Sequence, residues 1–490
     1  MILGIDVGSQ SLKAVLLDDK LRTIGSGRRS YPIDFPQPGW AEQSPAVWEE
    51  AFGPAIAEAL AAAGRKPGDV TAIGIAGQLD GCIAVDGSGA ALAPCLIWMD
   101  RRADDDLADL RRAPGNEFFR SRTGANLDGS HMAPKARWLL SHGPGGARPA
   151  RFHQPVSYLV ERITGEAVMD HGLASTSLVY DLKTGAYAGD LLDLFGLQLG
   201  QFPRVDRSEA AAGKLNARGA ELTGLPVGIV VAVGTGDDYS TPLGAGVASP
   251  GIIANVLGTA EVTGALDPRP LIDPQGLVET HRYVGGDLNY IENPGWVCGG
   301  ALEWLRALLS LADFAEFDRR AADAPPGCDG LLFLPALTGA MTPEWIAGAR
   351  GCFYGLTPSH GAGHLARAAL EGTAFGLKDV ADRLREMGVA ADRVRLLGGG
   401  ARSRLWAQIR ADVTGLPVER SAIADSSAVG AGLLAAVASG QIRDLAAAAS
   451  SVSAIAETIE PDGQNRAAYD DAYGRYRRLF SSLKPMYLSA

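Results

Sequence analysis

Most of the devices that betray a function at a glance are missing from this chain. Cysteine is scarce: five in 490 residues, an odd number, scattered as Cys82, Cys95, Cys298, Cys328 and Cys352 without the paired spacing of a zinc site or redox dithiol. This excludes a disulfide framework and fits reduced thiols in a cytoplasmic protein. The seven histidines show no metal-ligand spacing, and His360 and His364 sit beside Gly361 and Gly363. No block of Lys or Arg occurs, and the formal net charge is −11, which argues against nucleic acid or an anionic membrane as partner. The most apolar stretch, residues 428–438, is too short to span a bilayer. The first apolar run is only a strand long, with no basic segment before it, so no signal peptide is expected. Neither a Gly-x-x-x-x-Gly-Lys-Ser/Thr phosphate loop nor the His-Arg-Asp landmark of protein kinases is present.

What is present is an ordinary globular composition, 47% hydrophobic and 21% charged. A chain of 490 residues exceeds the roughly 250–300 at which one hydrophobic core stops growing, so two domains are expected. Val- and Ile-rich runs alternate with longer segments of helical period, which predicts an α/β architecture. Strands are expected at residues 2–5, 12–17 and 72–76, and a helix over 45–63 behind Ser44 and Pro45. The first two runs lie too close together for a βαβ unit, so they read as a hairpin in a mixed sheet. The expected domains are 1–245 and 246–490, joined near residues 244–251, with an elaborated insertion over 103–228. The last third, Ala-rich at 433–438 and 445–449, reads as tightly packed helices without chemistry of their own.

The chemistry gathers at strand ends. MILGIDVGSQSLK places Asp6 at the end of an apolar strand, then Gly8, Ser9 and Gln10, with Lys13 a turn later. Such a turn lets backbone N–H groups and a hydroxyl approach a phosphate while the carboxylate holds a hydrated divalent cation. A matching strand and turn recurs as GIIANVLGTAEVTG, with Gly258 and Thr259 in the turn. The duplication points to a nucleotide held between two halves. A third strand ends in Gly398, Gly399 and Gly400, followed by Arg402 and a helix. This suits an anionic or ribose group against free N–H donors, or simply a tight turn. In VAVGTGDDY, Asp237 and Asp238 follow another strand; they read as a base for a hydroxyl proton or as caps of the next helix. In IAGQLDG and LIWMDRR, Gln78 and Asp80 can grip adjacent hydroxyls, and Trp98 either stacks on a sugar or fills a core. Asp100, Arg101 and Arg102 read as a solvated helix start.

In this order the motifs resemble those of the FGGY carbohydrate kinases, and within them the xylulokinase branch. The resemblance runs from GIDVGSQSLK through WAEQSPAVW, IAGQLDG, IWMDRR, APKARW, GDD and LGT to LLGGGARSRLWAQIRADVTG. It is most specific at Gly351-Cys-Phe-Tyr-Gly-Leu followed by His364-Leu365 and Ala368-Ala369-Leu370-Glu371. It implies two ribonuclease-H-like domains of the actin/hexokinase-like superfold around a central cleft, with ATP and Mg2+ as cofactors and a sugar as substrate. By motif match Asp6 serves the metal, Gly8, Ser9, Gln10 and Lys13 the first phosphate loop, and Gly258 and Thr259 the second. Gly398, Gly399, Gly400 and Arg402 take the adenosine side, Gln78, Leu79, Asp80 and Trp98 the sugar, and Asp237 is the catalytic base. The implied activity is ATP-dependent phosphorylation of a ketopentose such as D-xylulose, in a protein that can form a homodimer. The family's sugar-contacting histidine is replaced by Asp80, which turns a donor into an acceptor. Gln78-Leu79-Asp80-Gly81 resembles the Gln-Gly-Asp-Gly of polyol kinases, which makes an erythritol-like acceptor the alternative. A nucleotide-binding sensor without catalysis is the remaining one.

Overall fold

Two sheets of the same plan organise the computed structural model, which describes residues 1–143 and 148–489. The first sheet opens with the hairpin β1 (Ile2–Val7) and β2 (Ser11–Leu17), paired antiparallel from Ile2 with Leu17 to Val7 with Leu12. β1 is buried throughout, as a strand covered on both faces must be. β3 (Thr23–Ser30) extends the hairpin, and α1 (Pro45–Ala63) packs on it. Pro45 opens α1 where its missing N–H costs nothing, and Gly64 closes it in the left-handed conformation. β4 (Ala72–Gly77) then runs parallel to β1. β5 (Ala211–Lys214) and β6 (Val230–Ala232) complete the order β5-β6-β4-β1-β2-β3, with the short strand Thr235–Gly236 also beside β4. Since β5 belongs to this core sheet, the insertion ends before residue 211 and not at 228.

The second sheet repeats the plan. β7 (Gly251–Leu257) and β8 (Ala260–Asp267) form its hairpin, flanked by β9 (Glu279–Arg282) and β10 (Asn289–Val297). β11 (Ala391–Leu397) runs parallel to β7, β12 (Val418–Ser421) parallel to β11, and β13 (Ile455–Ile459) antiparallel at the edge. The order β13-β12-β11-β7-β8-β10 matches β5-β6-β4-β1-β2-β3 strand for strand, with β9 added. Each sheet therefore carries parallel strands whose carboxyl ends open onto loops, the position where α/β folds bind ligands.

The halves meet through α6 (Ser426–Ala438), which follows β12 yet packs against β1, β4 and α3 (Asp237–Gly244) of the first half. Its near-continuous Ala, Gly and Leu surface is buried almost to the last turn. The approach is close enough to require glycine on both sides. A Cβ on Gly74 would stand 2.7 Å from the Ala431 carbonyl carbon, one on Gly4 2.8 Å from Gly432 N, and one on Gly244 2.6 Å from Gly430 N.

Candidate active site

The first cluster is built where β1, β4 and Thr235–Gly236 end side by side. β1 delivers Asp6, β4 delivers Gln78 and then Asp80, and the third strand delivers Asp237 and Asp238 in the first turn of α3. Gln43 ties two of these ends together: its amide donates to Ser9 O (2.7 Å) and its oxygen accepts from Gln78 Nε2 (2.8 Å). The turn that carries Ser9 and Gln10 is closed by Gly8 N to Ser11 O (3.1 Å) and braced by the Tyr31 hydroxyl on Gly8 O (2.6 Å).

Asp6 is buried, with Lys13 Nζ 3.5 Å from Oδ2 and the Ser427 hydroxyl donating to Oδ1 at 3.0 Å. Burial pushes its carboxyl above the ordinary range, and Lys13 and Ser427 pull it only part of the way back. Lys13 is shared with Asp425, also at 3.5 Å. Ser427 lies 2.9 Å from the Ser240 hydroxyl on α3, so one serine joins Asp6 to the helix that starts at Asp237. The Ala-rich last third, expected to be packing alone, thus reaches the Asp6 cluster at the first turn of α6. Neither Asp237 nor Asp238 caps α3: Gly236 holds the N-cap position, without a side-chain cap. Burial, with Asp238 and Asp6 nearby, lifts the Asp237 carboxyl well above its usual range. Burial, with Asp80 nearby, raises Asp238 to about 7. A carboxylate raised in this way is a stronger base than free aspartate.

Asp80 neither caps a turn nor stands alone. Its backbone is left-handed (φ 56°), with its N–H on Gln154 Oε1 and its carbonyl on Lys135 Nζ, both at 2.8 Å. Its Oδ1 lies 3.3 Å from Nδ1 of His131, a buried residue at the start of α2 (Met132–His142). An imidazole therefore stands beside Asp80 although position 80 holds none. Burial alone would lower the His131 pKa, but Asp80, Glu279 and Asp128 outweigh it and lift it to about 9. Lys135 spends its ammonium on Asp80 O, Ile97 O and Ser130 O, and burial lowers its pKa to about 8. From β10 comes Glu292, whose Oε2 is buried without a partner and whose carboxyl is raised by burial and by Asp238. Leu79 packs against Gly236. Trp98 is 40% exposed and so does not fill the core.

Of the run at residues 100–102 only Arg101 is solvated as expected, its side chain 38% exposed; the side chains of Asp100 and Arg102 are buried. Asp100 is fully buried, accepts from Ala41 N (2.7 Å) and pairs bidentately with Arg102, whose guanidinium lies 3.6 Å from the Trp40 ring centroid. The local sequence suggested solvent because its partners, Trp40 and Ala41, lie far back along the chain.

A second cluster lies at the carboxyl ends of β7 and β11. Gly258 and Thr259 form the exposed β7–β8 turn, and α4 (Gly299–Leu308) begins on it, with Cys298 N and Gly300 N both 3.0 Å from Thr259 O. Gly398 (φ 78°) and Gly400, ahead of α5 (Arg404–Thr414), both pack on Leu257, which joins the two loops. Arg420 of β12 anchors the glycine loop through Ala401 O (2.8 Å) and Arg402 O (2.9 Å). The same strand leads into residues 425–427 on Asp6 and Lys13, so the link between the clusters runs through the start of α6. Sequence reasoning missed His131, Glu292, Asp425 and Ser427; of these only His131 stands next to a motif already noted, APKARW. Among the described residues no group of three or more His, Cys, Asp or Glu could hold a metal ion by itself. The Asp6 site fits Mg2+ all the same, since that ion is ordinarily held by one or two carboxylates together with substrate phosphates.

Carboxylates at one set of strand ends, linked through the start of α6 to glycine turns at another, suit phosphoryl transfer as a class of chemistry, and comparison with known proteins identifies the family. Residues 1–244 match the N-terminal domain, and residues 253–439 the C-terminal domain, of the FGGY family of carbohydrate kinases. The chain is 30% identical to the xylulose kinase of Escherichia coli K12 over 491 residues, covering 99% of this chain and 100% of that one. It is 33% identical to the glycerol kinase of Aromatoleum aromaticum over 449 residues, 89% of each. The crystal structure of the xylulose kinase from Rhodospirillum rubrum superposes with a TM-score of 0.90 at 31% identity, over 99% of both chains. The chain belongs to the FGGY family of carbohydrate kinases and has its actin/hexokinase-like fold; it is a sugar phosphotransferase.

Proposed function

We propose that this kinase transfers the γ-phosphoryl group of ATP to a hydroxyl of a ketopentose such as D-xylulose, with Asp237 as the base. The observation that carries the reading is Asp237 itself, at the mouth of the parallel strands, its basicity raised by burial beside Asp238 and Asp6. The sugar hydroxyl gives its proton to the Asp237 carboxylate as its oxygen bonds to the γ-phosphorus. The bond from that phosphorus to the bridging oxygen breaks, and its electrons leave on ADP. In the loose transition state of such transfers the base orients the hydroxyl and takes the proton late. Asp6 would hold Mg2+, which supplies charge neutralisation to the phosphates. Lys13 and the turn at residues 8–10 would meet the phosphates from one side, and Gly258 and Thr259 from the other. Gly398, Gly399, Gly400 and Arg402 would receive the nucleoside. On this reading the two working units are 1–245 and 246–490, and the protein acts in the cytoplasm.

The polyol reading keeps two supports: Asp80 offers an acceptor to a hydroxyl, and identity to a glycerol kinase is 33% over 89% of the chain, against 30% over 99% for a xylulose kinase. ADP release from Mg-ATP across ketopentoses, aldoses and small polyols separates the two. Highest kcat/KM on D-xylulose supports the ketopentose, and highest kcat/KM on erythritol or glycerol moves the acceptor while keeping the chemistry.

A further inference from the structure

The sugar side of the site is unusual in what it offers a ligand. Both ring nitrogens of His131 face carboxylates: Nδ1 is in hydrogen-bonding range of Asp80 at 3.3 Å, and Nε2 lies 3.9 Å from Glu279 Oε1, close enough for attraction between charges but not for a hydrogen bond. Lys135 spends its donors on three carbonyl oxygens. Lys135 therefore has no hydrogen left for a ligand, and His131 gives its Nδ1 side to Asp80.

Acceptors, by contrast, are in surplus. Asp80 keeps its second oxygen, one-fifth of its side chain is exposed, and Asp238 and Asp237 are partly exposed beside it. Gln78 Oε1 and Glu292 Oε2 are buried with no partner, on residues only 2% exposed. Unmet buried acceptors are costly, and they become favourable only when a ligand brings hydrogens to them. A molecule whose groups are all hydroxyls does so; one ending in a carboxylate brings no hydrogen and meets Asp80, whose carboxyl, against the cost of burial, the charge of His131 holds below its usual range.

Asp80 can serve only if its carboxylate stays put. Its backbone is pinned at both ends, by Gln154 and by Lys135, and its side chain is held by His131, with Thr176 beside it. His131 in turn reaches Glu279 on β9, and Glu279 is held by Asn126 N at 2.7 Å, so the imidazole sits between the two halves of the chain.

We infer that His131 is the specificity-determining positioning residue of the acceptor pocket: it fixes Asp80 as a hydroxyl acceptor and thereby selects a neutral, hydroxyl-rich acceptor over a sugar acid. The inference rests on the kinase reading above and narrows it to one class of acceptor.

The test compares kcat and KM for D-xylulose, erythritol and D-gluconate in the wild type, His131→Gln, His131→Ala and Asp80→Asn, with the KM for ATP as a check on the fold. The wild type is expected to prefer its better neutral acceptor over gluconate by ~100-fold or more in kcat/KM, as in sites that leave buried polar groups unpaired with the wrong ligand. His131→Ala is expected to raise the KM for that acceptor by ~10-fold or more while kcat and the ATP KM stay within ~3-fold, the split that marks lost binding and not lost chemistry. His131→Gln, which keeps a donor, should fall between the two, and Asp80→Asn should match His131→Ala. If His131→Ala does not fold, His131→Gln and Asp80→Asn carry the same comparison. Gluconate turned over as well as the neutral acceptors, or an acceptor KM unmoved in these variants, overturns the inference and leaves the kinase reading intact. ADP release on no acceptor at all removes the kinase reading and the inference together.

Discussion

Replacing Gly74 by alanine tests whether α6 is the element that sets the geometry around Asp6. In an open strand this change stabilises by about 0.4–1 kcal/mol, because alanine has less backbone entropy to lose. At Gly74 the new Cβ would stand 2.7 Å from the Ala431 carbonyl carbon and 3.2 Å from Ala435 Cβ. Carbon contacts settle at about 3.5–4.0 Å, so α6 must retreat by roughly 1 Å. The Ser427 hydroxyl travels with it, and its 3.0 Å bond to Asp6 stretches out of hydrogen-bonding range. Overpacking of this kind costs about 1–3 kcal/mol. A hydrogen bond to a charged group is worth about 1.5–3 kcal/mol, or roughly one to two powers of ten in rate if all of it is felt in the transition state. Gly74→Ala should therefore melt several degrees below the wild type and lose about 10–100-fold in kcat, measured by thermal unfolding and by ADP release. Gly87→Ala, where nothing lies within 4 Å of the new Cβ, serves as the control and should change neither. A Gly74→Ala protein that melts at or above the wild-type temperature with full kcat would refute the assignment of α6 as the ordering element.

Other consequences are equally direct. Ser427→Ala should lower kcat by about 10-fold without moving the sugar KM, and Ser427→Thr should restore most of it; equal kcat in Ser427→Ala and the wild type would release Ser427 from its role. Arg410 and Glu261 form a fully buried pair at 2.7 Å under the β7–β8 turn, shared with Asn255, so Arg410→Met alone should cost about 3–5 kcal/mol of stability in urea unfolding. Replacing both partners with apolar residues should cost less than that single change. His131, with a folded pKa of about 9 against an ordinary 6.5, adds stability that is fully present below pH 6.5 and is lost as pH rises through about 9. Lys135, lowered to about 8 by burial, works in the opposite sense at higher pH, so the readout is the difference between the wild type and His131→Gln. That difference in melting temperature should shrink as pH rises from 6.5 to about 9, and a constant difference would contradict the ion pair with Asp80 and Glu279.

The plan of the fold was legible wherever neighbours in space are neighbours in sequence. The hairpin at Ile2–Val7 and Ser11–Leu17, α1 behind Pro45, and the repeated strand-and-turn at Gly258 all follow from local periodicity and turn chemistry. The strand-end carboxylates were legible for the same reason, because a Gly-rich break after an apolar strand is a local signal. The rest depends on distant partners. Nothing in the run of Ala, Gly and Leu after residue 427 says that it lies on β1 and β4, because small residues report close packing but not against what. Ser427 meets Asp6 across a separation of 421 residues. Asp100 looked solvated because its own stretch is charged, whereas Trp40 and Ala41 supply the burial. His131 escaped notice because an imidazole at a helix start has no periodic signature; only the folded chain sets it beside Asp80.

Whether Asp237 is the base is decided by acceptor-stimulated ADP release in Asp237→Asn beside the wild type, with ATP binding followed in both by titration. Loss of a positioned base costs about 10²–10⁴-fold, so kcat should fall by that much with ATP affinity nearly unchanged. Near wild-type turnover in Asp237→Asn would contradict that role.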